Sequence, residues 1–206
     1  MADLLVFVNA FIALFIIVDP LASIGVFISL TKGMSEAERR STVRKAVVVA
    51  TGVLLGFSLL GKHLLDFFGV TVSAFRIAGG TLLLIIAFDM MFEARAFTRK
   101  VPQDEQRSNP AIAPLGMPLL AGPGSITWSM LYMSQAADVV DMGLVIAAIL
   151  AAMLLTWLVL ANINRIYRVL RQDGADVVTK VMGLVLAAIA IQMVVDGIWT
   201  SFFAGQ

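Results

Sequence analysis

The stretch Phe15-Ile16-Ile17-Val18-Asp19-Pro20-Leu21-Ala22-Ser23-Ile24-Gly25 interrupts an apolar block that otherwise runs from Leu4 to Leu30. A second interruption, Gly122-Pro123-Gly124-Ser125-Ile126-Thr127, preceded by Pro114 and Pro118, falls inside the apolar block from Ala111 to Ser134. Proline lacks an N–H and clashes with the preceding helical turn, so neither block can run as one regular helix. Asp before Pro, and Gly before Pro, are the residues of a helix cap followed by a first helical residue. The spacing therefore predicts that a half-helix restarts at Pro20 and another at Pro123, both within the apolar blocks.

What surrounds these blocks decides their solvent. The chain has 206 residues, 60% of them hydrophobic and 14% charged, with a mean hydropathy of +0.94. Ordinary soluble domains carry about 25% charged residues, and no water-soluble fold has the interior to hide so much apolar surface. Apolar blocks of about 20 residues match the about 30 Å hydrocarbon thickness of a bilayer. Six spans are predicted: Leu4 to Leu30, Ala46 to Leu65, Phe75 to Met91, Ala111 to Ser134, Met142 to Ile163 and Val181 to Phe203. The first block would be roughly 40 Å long as a straight helix. It is tilted, broken, or folded back as a re-entrant hairpin.

Thirteen of the 15 Lys and Arg residues lie in three loops. Lys32, Arg39, Arg40, Arg44 and Lys45 follow the first span, Arg95, Arg99, Lys100 and Arg107 the third, and Arg165, Arg168, Arg171 and Lys180 the fifth. Basic loops are retained in the cytoplasm during insertion, so these three face inward and both termini face outward. Two hairpins would move the fifth loop outside against this rule, which favours crossing, discontinuous helices. Residues 93–110 read as a polar cytoplasmic linker that divides the chain into repeats 1–92 and 111–206. Three spans per half make the second half enter the membrane in the opposite sense. The fold class is thus an all-α polytopic membrane protein, six transmembrane helices in two inverted three-helix repeats, with spans 1 and 4 discontinuous. An offset of 103 superposes Pro20 on Pro123, Gly80 on Gly183, Ala87 on Ala190, Asp89 on Gln192 and Met90 on Met193.

The same inventory excludes chemistry. With no cysteine and a single histidine, neither a thiolate nor an imidazole metal cluster can be built, and no metal or cofactor is expected. A formal charge of +1 offers no face for nucleic acid. The N-terminal block lacks the basic start and cleavage site of a signal peptide and is expected to stay as a span. There is no phosphate-binding loop for ATP, and no nucleophile motif of an intramembrane protease or hydrolase.

Irregular backbone survives in a membrane where protein or a wet cavity satisfies it, and the N–H groups of a half-helix attract an anion such as a carboxylate. This makes Asp19, Pro20, Leu21, Ala22 and Ser23 at one break, and Gly122, Pro123, Gly124, Ser125, Ile126 and Thr127 at the other, the candidate binding residues. The expected donors are the N–H groups of Gly124, Ser125 and Ile126, matched by those of Leu21, Ala22 and Ser23. An ionised Asp19 within a span costs at least about 2.5 kcal/mol, so it acts as a cap, contacts a substrate amine, or carries a proton. Asp89 and Gln192 are candidates for a pathway or a coupling site, with Asp89 alternatively reaching the inner interface. Gly52-x-x-x-Gly56 and Gly79-Gly80 allow close helix approach, within one protomer or between protomers of a homo-oligomer. Trp128, Trp157 and Trp199 read as interfacial or packing aromatics.

Ile17-Val18-Asp19-Pro20 with Phe27-Ile28-Ser29-Leu30-Thr31, then Phe75-Arg76-Ile77-Ala78-Gly79-Gly80, and the run Pro114 to Thr127 resemble the MarC family of bacterial and archaeal six-span inner-membrane proteins. The resemblance covers nearly the whole chain, and the proline-rich fourth span is its most specific part. It implies location in the cytoplasmic membrane and transport of small neutral amino acids such as glycine and alanine. Where the family commonly continues Gly-Asn-x-Pro after the first break, this chain has Ala22-Ser23-Ile24-Gly25. The implied function is a secondary transporter, an exporter, coupled to H+ or Na+ or to neither. A channel and an intramembrane enzyme are the alternatives, and saturable counterflow separates a carrier from a channel.

Overall fold

The computed structural model describes residues 2–21, 23–31, 33–92 and 120–203. They form α1 (Ala2–Val18), α2 (Ser23–Leu30), α3 (Glu36–Phe68), α4 (Val72–Phe92), α5 (Pro123–Gln135), α6 (Val139–Ala161) and α7 (Ile163–Phe203), with no strand among the described residues. Helices satisfy every backbone group within one segment, as a hydrocarbon solvent demands. Four segments are long and apolar enough to cross a bilayer: α3, α4, α6 and Val177–Phe202 of α7. The helices next to the two interruptions are shorter, 17 residues in α1 and 13 in α5. The linker 93–110 and the residues 111–119 that open the fourth span, including Pro114 and Pro118, lie outside the described residues.

Two expected loop boundaries are corrected. Residues 36–45 and 164–180 belong to helices, because α3 runs 33 residues and α7 runs 41. At 1.5 Å per residue these reach about 50 and 60 Å, so each extends well past a hydrocarbon core of about 30 Å. The extra turns are held locally. Ser35 caps α3 through a capping box, its side chain accepting from the Glu38 N–H while the Glu38 carboxylate accepts from the Ser35 N–H at 2.8 Å. Asn162 alone separates α6 from α7, and its side-chain amide donates to the Leu158 carbonyl at 2.8 Å. Charged residues in a loop and in a helix that projects into water satisfy the same hydropathy, so the chain's polarity did not separate the two.

Packing follows the rule that small residues let helices approach where lipid supplies no hydrophobic drive between them. The buried seam of α3 is Thr42, Val43, Ala46, Val47, Ala50, Leu54, Ser58, Gly61 and Leu65, which recur at 3- and 4-residue spacing along one face. Ala87, Ala152 and Ala190 are fully buried, while Leu184, Ile191, Val195 and Phe202 of α7 point outward. The most extensive contact joins α4 to α7, followed by α1 with α6 and α3 with α5.

The α4–α7 contact has an exact reciprocity. A Cβ on Gly80 would stand 2.8 Å from the Ala190 carbonyl oxygen and 3.1 Å from the Met193 Cβ. A Cβ on Gly183 would stand 3.1 Å from the Ala87 carbonyl oxygen and 2.9 Å from the Met90 Cβ. Exchanging each residue for the one 103 positions away converts the first set into the second. Because Gly80 lies beside Ala190 and Gly183 beside Ala87, the two helices run antiparallel. By contrast, no atom of the described residues would lie within 4 Å of a Cβ on Gly52 or Gly56, so that motif makes no close helix contact among them.

Candidate functional site

The first interruption differs in kind from its expected form. The Asp19 N–H donates to the Phe15 carbonyl at 3.1 Å, and Asp19 has φ 40°. A left-handed residue whose N–H closes a five-residue loop back into the helix is the αL termination motif. Asp19 is therefore the stop of α1 and not the cap of a helix starting at Pro20. α2 begins only at Ser23. Asp is among the few side chains that tolerate φ above zero, and Pro20 next to it cannot extend α1. Both residues are buried.

The donors expected here are partly used. The Asp19 carbonyl accepts the Ser23 N–H at 3.2 Å and the Ser23 hydroxyl at 3.0 Å, which removes both Ser23 groups from the expected set. Ala22 lies outside the described residues. Leu21 is half-buried, and its carbonyl accepts the Ile24 N–H at 3.1 Å.

The second interruption begins a helix. Gly122, with φ −78° and ψ 170°, is the N-cap of α5, and Pro123 takes the first helical position. Glycine supplies no capping side chain, so the first turn keeps its donors. The count of those donors needs one correction. The Ile126 N–H donates to the Gly122 carbonyl at 3.0 Å, closing the first intrahelical bond. Pro123 has no N–H, so Gly124 and Ser125 are left as the first-turn donors without an intrahelical acceptor. The Ser125 hydroxyl is shared between the Gly122 and Leu120 carbonyls at 3.0 and 3.2 Å, and hence braces the turn. Thr127 is buried with its methyl group directly over Gly79 of α4.

The two interruptions are neighbours in space. A Cβ on Gly124 would stand 2.7 Å from Leu83 Cδ2, 3.2 Å from Ile86 Cδ1 and 3.4 Å from Ile17 Cγ2. The end of α1 and the start of α5 thus meet over Leu83 and Ile86 of α4. Asp89 is half-buried one helical turn beyond Ile86. Gln192 is exposed, donates to the Asp196 carboxylate at 2.7 Å, and lies level with Gly80 at the other end of the α4–α7 contact from Asp89. Along α4, Asp89 and the level of Gln192 thus lie on opposite sides of Leu83 and Ile86, and the two side chains are not brought together. Of the tryptophans, Trp128 of α5 is buried, while Trp199 stands on the outer face of α7. Among the described residues no cluster of His, Asp or Glu suits a metal ion.

These conformations make a test of Asp19 specific. Asp19→Asn retains a side chain suited to φ 40°, so its stability is expected to stay within about 0.5 kcal/mol of the parent. Asp19→Leu places an ill-suited side chain in the left-handed region and is expected to cost about 1–2 kcal/mol. Thermal unfolding in detergent measures both. Equal stability of the two variants would show that the αL stop carries no strain.

Comparison with known proteins gives a consistent picture. A family model described as "MarC family integral membrane protein" matches residues 4–202. A UPF0056 membrane protein of Methanocaldococcus jannaschii is 41% identical over 199 residues, covering 95% of this chain and 97% of the relative. One from Aquifex aeolicus is 35% identical over 196 residues, covering 93% and 92%. One from Buchnera aphidicola is 31% identical over 205 residues, covering 99% and 97%. No solved structure matches the chain.

Proposed function

The chain belongs to the MarC family of integral membrane proteins, and from that premise we propose that it is a secondary transporter that exports small neutral amino acids such as glycine and alanine. The observation that carries this reading is the meeting of the two helix interruptions at Ile17 and Gly124 over α4. A helix that ends within the apolar layer and another that starts there create backbone polarity where lipid cannot satisfy it, which is how carriers bind ions and zwitterions near the midplane. The Gly124 and Ser125 N–H groups, at the positive end of α5, suit a carboxylate. Asp19, at the close of α1, suits an amine. The small residues of the two interruptions, among them Ser23, Gly122, Gly124 and Ser125, favour a small substrate.

The reciprocal contacts of Gly80 and Gly183 support two inverted three-helix repeats, 1–92 and 111–206, related across the α4–α7 pair. Alternating access then consists of rocking one repeat against the other while the junction changes the side it opens to. Transport is coupled to H+ or Na+ or to neither, and Asp19 at the end of α1 and Asp89 of α4 are the candidate coupling carboxylates.

Uptake of labelled glycine and alanine into liposomes containing the purified protein, with imposed proton or sodium gradients, tests this function. Saturable uptake with counterflow is expected. Flux that never saturates indicates a channel, and absence of flux for every neutral amino acid removes the proposal.

The orientation has its own test. With no native cysteine to interfere, Gln206→Cys is expected to react with an impermeant thiol reagent in intact cells, and Gln106→Cys only after lysis. The opposite labelling pattern would invert the proposed topology.

A further inference from the structure

Of the three tryptophans, Trp128 stands apart. Trp199 is 64% exposed, whereas Trp128 is only 7% exposed and its indole Nε1 has no hydrogen-bond partner among the described residues. A buried donor without an acceptor is among the costlier defects of a packed interior, and a native protein that keeps one has a reason for it. Indole N–H groups that are buried ordinarily find a partner. The neighbouring hydroxyls of α5 do so, Ser125 donating to Gly122 and Ser129 to Ile126 carbonyls.

The place of Trp128 in the helix suggests what the missing acceptor is. Trp128 follows Gly124 by four residues and so shares its helix face, one turn above the α1–α5 junction. Helical side chains lean toward the N-terminus of their helix, in this case toward the turn whose Gly124 and Ser125 N–H groups lack intrahelical acceptors. The ring is held from the other side by Tyr132, with centroids 4.8 Å apart and planes tilted by 38°. A ring clamped in this way presents its N–H in a preset direction, which avoids an ordering cost when a ligand arrives.

We infer that the Trp128 indole N–H is a substrate-binding donor that completes the carboxylate site begun by the first turn of α5. The inference rests on the reading of the chain as a carrier of small amino acids and adds a residue to that site. An anionic acceptor suits a buried donor that the neighbouring protein groups leave unpaired, and a hydrogen bond to a charged group is stronger than one between neutral groups. Glycine and alanine both carry the carboxylate, so Trp128 contributes to affinity for the class and not to discrimination within it.

The test is calorimetric titration of purified protein with glycine and alanine. Trp128→Phe keeps an aromatic ring and removes the N–H, and is expected to weaken binding of both by roughly 10- to 100-fold. A second variant, Trp157→Phe with Trp199→Phe, leaves Trp128 as the single tryptophan, and its emission is expected to change on addition of glycine with the same midpoint as the calorimetric titration. Binding by Trp128→Phe at the parental affinity, or an emission indifferent to glycine while the protein binds it, overturns the role of Trp128 and leaves the transport reading standing. Absence of glycine and alanine binding in the unaltered protein overturns both. The emission experiment decides the matter if Trp128→Phe does not fold.

Discussion

Gly80→Val and Gly183→Val are expected to destabilise the protein by similar amounts, about 1–3 kcal/mol each, and the double variant by about 2–6 kcal/mol. At both positions the three nearest atoms include a backbone carbonyl oxygen, of Ala190 at 2.8 Å and of Ala87 at 3.1 Å from the ideal Cβ. A side-chain tip can swing aside, but a carbonyl moves only with its helix. Accommodation thus requires α4 and α7 to separate along the most extensive contact in the fold. Against a total stability of about 5–15 kcal/mol, the double variant removes a large share. The near-equality of the single variants is the informative part, because each glycine faces an alanine carbonyl oxygen and a methionine Cβ of the other helix, with Val194 beside Gly80 and Met91 beside Gly183. Gly52→Val and Gly56→Val meet nothing within 4 Å and are expected to stay within about 0.5 kcal/mol of the parent. Unfolding in mixed detergent and sodium dodecyl sulfate micelles ranks all four. A Gly80→Val protein as stable as Gly52→Val would mean that the α4–α7 contact tolerates separation.

Gly124→Val is expected to have the largest effect on transport, lowering it roughly 10- to 100-fold while costing about 1–2 kcal/mol of stability. Its ideal Cβ would meet Leu83 Cδ2 at 2.7 Å and Ile86 Cδ1 at 3.2 Å, both ends of flexible side chains, and Ile17 Cγ2, on a stiff β-branched side chain, only at the van der Waals distance of 3.4 Å. The first two can shift, so the protein is expected to fold. The shift occurs where the end of α1 meets the start of α5, and the added methyl groups crowd the first-turn N–H groups assigned to the substrate carboxylate. Gly61→Val is the control. Its Cβ would stand 2.6 Å from Met130 Cγ, a comparable side-chain conflict between α3 and α5 away from the interruptions. It is expected to lose a similar amount of stability and to retain transport. Equal transport by the Gly124 and Gly61 variants would remove the α5 N-terminus from the site.

Much of this protein was legible in its residues taken one after another. Hydropathy is nearly additive along a chain immersed in lipid, so composition and block length alone assign the membrane class and the all-helical content, and locate the apolar segments long enough to cross. Proline acts on its own turn, so the two interruptions were also local facts, and Gly122-Pro123 begins a helix by the same grammar that reads it as a start. The same grammar misread Asp19-Pro20, because a residue with φ 40° that ends a helix and one that caps the next carry the same pair of names. Which role applies depends on whether the Asp19 N–H still reaches the Phe15 carbonyl, and backbone geometry decides that.

Only the tertiary structure could decide which groups meet. Ile17 and Gly124 are more than a hundred positions apart, and no periodicity brings them to one side of α4. Gly52-x-x-x-Gly56 and Gly79-Gly80 look equally suited to close contact, yet among the described residues only the second pair closely faces another helix, since a glycine matters through the atom that opposes it. The fifth polar stretch could be a loop or the projecting end of α7, because water solvates charged residues in either. Trp128 gave no sign in sequence of an open indole N–H. A donor's vacancy is a property of its surroundings, and those are assembled from distant parts of the chain.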